Sequence, residues 1–151
     1  MSYEDLLRQR IIEPVEVSPE EIVDLFNVAQ RDIKTSKNLI DFDLDWAFSI
    51  AYNAILQISL AYMNSLGYRP RGEAKHANTF RFLSETLPKT HHLTIKRLQR
   101  MRQKRNATIY RRAGLVSQKE AKDIIGFTNI YYELIKKLLP VEIKSLLQKS
   151  F

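Results

Sequence analysis

The sequence predicts an all-α fold, an antiparallel helical bundle of four to five core helices with short helices at both ends. Three observations carry this. Apolar residues recur at helical spacing through long stretches, and no strand-like alternation or internal repeat competes with them. Glycine and proline are scarce, four and five in 151 residues, too few for the many turns of a β-sandwich or barrel. All but Gly126 fall between the helical stretches or in a first turn and mark their ends.

Each element has its own start and stop signals. A short helix is expected over Tyr3–Ile12, stopped by Pro14. Ser18, Pro19 and Glu21 form a capping box with proline in the first turn. The helix they open runs to about Lys37, with Ile22, Leu25, Phe26 and Ile33 on one face. The third helix spans about Leu44 to Leu66, with Gly67 as its stop. It carries no charge from Trp46 to Tyr68, but its Ser, Asn and Gln residues make it too polar for lipid. It reads as a central helix buried by its neighbours, and no membrane is expected as a partner. The loop YRPRGE leads to a helix over Glu73–Thr86. A long helix from His92 to Arg112 ends before Gly114. Ser117 and Glu120 form a second capping box for a helix reaching about Leu139, and Pro140 starts a last short one. Short connections between such helices imply antiparallel neighbours.

Length fits a single domain, residues 1–151, with the N-terminal helices of residues 3–37 packed on a core of about 44–139. The absence of cysteine excludes disulfides, cysteine catalysis and zinc ribbons. The opening MSYEDLLRQR has no apolar signal core. A cytoplasmic protein is therefore expected. A net charge of +7 favours an anionic partner, nucleic acid or nucleotide first among them.

That charge concentrates on one helix. Between Lys96 and Arg112 lie eight basic residues and no acidic one. Turning about 100° per residue, Thr94, Leu98, Met101 and Ile109 define the apolar face. Arg100, Gln103, Lys104 and Arg111 are expected to point to solvent. Arg105 falls inside the apolar stripe, and Arg102, Asn106 and Tyr110 flank it at one-turn intervals. A core-facing arginine is costly unless paired or wetted. Two accounts are open: pairing with a carboxylate, Asp43 or Asp45, or an open cleft where Arg105 meets a phosphate with help from Asn106 and Tyr110. On the third helix Asp45, Ser49, Asn53 and Gln57 recur every four residues. They form a polar seam expected either to be satisfied by a neighbouring helix or to face Arg105 and complete one pocket.

The order of these segments resembles the HEPN superfamily of small prokaryotic helical domains. The likeness lies in AYNAILQISLAYMNSLGYRPRGEAKHANTFRFL (Ala51–Leu83), RMRQKRNATIY (Arg100–Tyr110) and LVSQKEAKDII (Leu115–Ile125), and covers about Leu44 to Leu139. It implies a HEPN-like bundle and a homodimer in which two signature helices face one cleft. It also implies RNA or nucleotide as partner, as in metal-independent ribonucleases, toxin–antitoxin pairs and the small protein partners of nucleotidyltransferases. Arg105 matches the motif arginine and Asn106 the polar residue after it. The motif histidine falls on Tyr110. An ordinary phenol, with a pKa of about 10, does not exchange protons near neutrality as imidazole does, but it hydrogen-bonds phosphate and stacks on bases. If the family's chemistry is retained, Arg105, Asn106 and Tyr110 are the catalytic set for attack of a ribose 2′-hydroxyl on the adjacent phosphate. The expected binding set is Arg102, Arg105 and Asn106, with Arg69, Arg71, His76 and Asn53. The rival reading is a non-catalytic protein-interaction domain in which Arg105 is buried and paired. His91 and His92 lack the carboxylate or cysteine partners of a metal site, and no phosphate loop or serine-elbow motif occurs, so neither metal nor cofactor is expected.

Overall fold

The computed structural model describes residues 3–150, and 77% of the chain is helical. Among the described residues there are seven α-helices: α1 (Tyr3–Arg8), α2 (Pro19–Leu39), α3 (Leu44–Ser65), α4 (Lys75–Thr86), α5 (His92–Tyr110), α6 (Gln118–Leu138) and α7 (Val141–Ser150). A single 3-10 turn, Lys89–His91, precedes α5. The all-α bundle expected from the sequence is therefore the fold.

The bundle is organised around α3. Thirteen of its twenty-two residues are buried, which explains how it stays apolar without a membrane. No helix among the described residues is long and apolar enough to cross one. The helix α2 lies antiparallel to α3, with Ser36 bonded to the Ala47 carbonyl near the turn and Asp32 bonded to Asn53 further along. The helix α6 runs parallel to α3: Asp45 meets Val116 at one end, and Ser59 and Tyr131 share a hydrogen bond at the other. Against these, α5 runs antiparallel to α3, with Asp45 opposite Gly114 and Tyr52 opposite Arg105. One continuous apolar cluster extends from Leu6 to Leu147.

Both capping boxes form as expected. Ser18 accepts from the Glu21 N–H and Ser117 from the Glu120 N–H, with each glutamate returning the bond. The N-terminal segment departs from expectation. Helix α1 stops at Arg8, Arg10 takes a left-handed conformation with φ 58°, and the chain then enters a strand, β1 (Ile12–Pro14). This strand pairs antiparallel with β2 (Tyr68–Pro70), with Glu13 opposite Arg69. Burial of Ile11 and Ile12 and the Glu13–Arg69 ion pair hold the ribbon in place of the last helical turn. Three-residue strands are too short to show an alternation in sequence.

Candidate nucleic-acid interface

The helix α5 contributes few residues to the core for its length. Only Leu98 and Thr108 are buried on it, and no side chain caps its N-terminus. Its inner stripe passes through Leu98, Met101, Arg105 and Thr108, so the deepest residue of the last turns is Thr108 rather than the expected Ile109. Two of its cations anchor it to α6. Arg97 lies 4.4 Å over the Phe127 ring, and Lys104 pairs with Glu120 at 3.1 Å. Lys104 was expected in solvent. The capping box of α6 instead draws it inward, and the Ser117 N–H and then Lys104 hold the Glu120 carboxyl below its usual range.

Arg105 occupies the inner face as the helical spacing implies. Its guanidinium carbon lies 5.6 Å from the centre of the Tyr52 ring and 5.8 Å from that of Tyr110. Its Nε is sealed from solvent and bonds to nothing among the described residues. The carboxylate pairing does not occur. Asp43 caps α3 by accepting from the Trp46 N–H, and Asp45 accepts from the backbone N–H groups of Gly114 and Val116. Both acids are thus consumed by chain ends, and Arg105 forms no ion pair among the described residues. A buried donor left without a partner costs about 1–3 kcal/mol. A cation over an aromatic face returns about 0.5–1 kcal/mol at an open site.

Tyr52 and His76 complete this region. Tyr52 is 1% exposed, and its hydroxyl lies 3.5 Å from His76 Nδ1. Burial pushes the Tyr52 phenol well up from its usual range, against the pull of Arg105 and Arg102. Burial lowers His76 below the ordinary imidazole range, and Arg105 and Arg102 lower it further, so the ring is neutral at neutral pH. Arg102 donates to Gln99 at 3.2 Å. Asn106 is half-buried and makes no hydrogen bond among the described residues, whereas Tyr110 is 73% exposed. The region thus combines two arginines, a free amide, an exposed aromatic ring and a neutral imidazole.

The remaining expected residues lie elsewhere. Arg69 is ion-paired to Glu13 at 2.8 Å, and Arg71 approaches the same carboxylate at 4.0 Å. Asn53 donates to Asp32 at 2.6 Å and lines a cleft with Gln57, Arg69 and His76. The polar seam of α3 does not face Arg105 as one unit. A four-residue repeat drifts about 40° per step on a helix of 3.6 residues per turn. Asp45 therefore meets the α5–α6 loop, the Ser49 hydroxyl is buried without a hydrogen-bond partner among the described residues, and Asn53 and Gln57 have turned toward α2 and the cleft. The residue that does face Arg105 is Tyr52, which lies outside that four-residue repeat. The available signal was a phenol inside an apolar helix, which needs somewhere to place its hydroxyl. No protein-family model and no curated protein matches this chain.

Proposed function

We propose that this protein binds RNA or a nucleotide through the inner edge of α5, with Arg105 and Arg102 holding phosphate and Asn106, Tyr110 and His76 completing the contact. The observation that carries the reading is the state of Arg105: a guanidinium packed between two tyrosine rings, with a sealed, unbonded Nε and no carboxylate partner. Arginines kept for structure are normally paired; one without a carboxylate among the described residues suits a phosphate, two of whose oxygens its terminal N–H donors can grip. Tyr110, open on the adjacent turn, suits base stacking. The resemblance to HEPN domains in three ordered segments supports the same reading and adds the expectation of a homodimer in a cytoplasmic toxin–antitoxin or nucleotidyltransferase setting.

Cleavage is a narrower claim on the same face. It needs a group that moves a proton in the transition state, and the neutral imidazole of His76, 3.5 Å from the Tyr52 hydroxyl, is the base this region offers. A gel-shift titration with single-stranded RNA over a range of salt tests binding. Affinity should fall steeply with salt, and Arg105→Ala should abolish it with the helical circular dichroism intact. No complex at low salt sinks the proposal. RNA that stays intact in EDTA restricts the function to binding, and activity gained in Tyr110→His assigns the missing group.

The second reading is a protein-contact surface. It is favoured by the exposure of Tyr110 together with Trp46 (54%) and Phe42 (85%), large rings open to solvent near the start of α3 and the end of α5. Under it Arg105→Ala would leave RNA unaffected and change self-association, read by sedimentation.

A further inference from the structure

His76 belongs to a second feature as well. Between α2, α3 and the segment from β2 into α4 lies an open cleft of about 550 Å³, within the size range of small-molecule sites. Three amides, Asn53, Gln57 and Asn64, enter its wall beside apolar side chains including Leu60, with Lys75 and His76 at its α4 side. The amide of Asn53 is not free to rotate. Its Nδ2 donates at 2.6 Å to Asp32, a carboxylate 4% exposed and itself held by Arg31. The Asn53 Oδ1 is left as a fixed acceptor without a partner among the described residues. Gln57, one turn on, makes no hydrogen bond among the described residues and offers both a donor and an acceptor.

We propose that this cleft is a nucleobase subsite for a base carrying an exocyclic amine beside a ring-nitrogen acceptor, with 5′-AMP as its simplest occupant. The amine donates to the Asn53 Oδ1, and the ring nitrogen accepts from the Gln57 amide. The apolar wall takes the face of the ring, and Lys75 takes the phosphate. A purine without the exocyclic amine fails the pattern, because it leaves the fixed acceptor of Asn53 without a donor. The inference extends the reading of the protein as a nucleotide or RNA binder by naming a base and a place for it apart from α5.

The test is a 1H–15N NMR titration of the whole protein with 5′-AMP, purine riboside 5′-monophosphate and inorganic phosphate. The expected result is saturable binding of AMP that shifts Asn53, Gln57 and His76, with purine riboside 5′-monophosphate weaker by about ten-fold or more. Gln57→Leu should weaken AMP by about ten-fold while the fold is kept, since Gln57 supports no other residue. Equal affinity for AMP and purine riboside 5′-monophosphate overturns the proposal. So do shifts confined to α5 that vanish in Arg105→Ala, or the absence of shifts up to about 10 mM AMP. AMP in the cleft without any RNA gel shift removes the α5 reading and keeps this one; an Arg105-dependent RNA complex without AMP binding does the reverse.

Discussion

The helices α5 and α6 are of similar length, 19 and 21 residues, and meet the bundle in opposite ways. Eight residues of α6 are buried, and a full capping box starts the helix. Only two residues of α5 are buried, and its N-terminus has no side-chain cap. Where α6 places Tyr131 against Ser59 with its bonding satisfied, α5 places Arg105 with a sealed Nε that bonds to nothing among the described residues. One helix is built to hold the fold. The other is held by it, through the Arg97–Phe127 and Lys104–Glu120 contacts and the clamp of Asp45 on the α5–α6 loop. Polar strain left on an element that contributes little to the core is where binding residues are expected.

Substitutions can break or sharpen this contrast. The largest effect is expected in α6: Ile135→Ala, at a fully buried position, should cost about 2–5 kcal/mol in denaturant unfolding. A loss below that range would mean that α6 is not the structural helix. Next comes the clamp. Asp45→Ala strands two backbone donors and should cost about 1–3 kcal/mol. It should also loosen the last turns of α5, seen as faster amide exchange from Thr108 to Val116. Uniform protection there would show that α5 is held by its own packing. Ser117→Ala removes the cap of α6 and should cost about 1 kcal/mol.

The smallest effect concerns pH. His76 is lowered in the folded state, so between its folded value and the unfolded value of about 6.5 the unfolded chain binds more protons. Stability should therefore rise with pH through that window and fall on acidification. In His76→Gln that part of the slope should vanish, leaving the carboxylate contribution at lower pH. An unchanged melting-temperature profile in the variant would show that His76 is not buried against Tyr52 and the arginines.

Much of the bundle was legible because its signals are local. Ser18 with Glu21, Ser117 with Glu120, and Gly67 after α3 each mark a boundary in a few residues, and each stands where expected. The β1–β2 ribbon was not, since it joins Ile12 to Pro70 across most of two helices and its strands are three residues long. In the site, the spacing put Arg105 on the inner face of α5 correctly, because one residue's angle on one helix is a local property. Its surroundings were not local. Asp43 and Asp45 turned out to be occupied by backbone N–H groups, which no spacing reveals. The α3 seam was read as one stripe, but its four-residue period rotates by about 120° from Asp45 to Gln57. It thereby divides between the α5–α6 loop and the cleft.

The central claim is that Arg105 is kept for a ligand and not for the fold. Arg105→Met tests it most directly, measured for both unfolding free energy and RNA affinity at low salt. Methionine fills the space between Tyr52 and Tyr110 without an unbonded donor. The expected result is stability equal to or above that of the wild type, as found when buried charges give way to packed apolar residues, with RNA affinity lower by about ten-fold or more. A variant destabilised by about 3 kcal/mol or more, with RNA affinity unchanged, would contradict the claim and make Arg105 a structural residue.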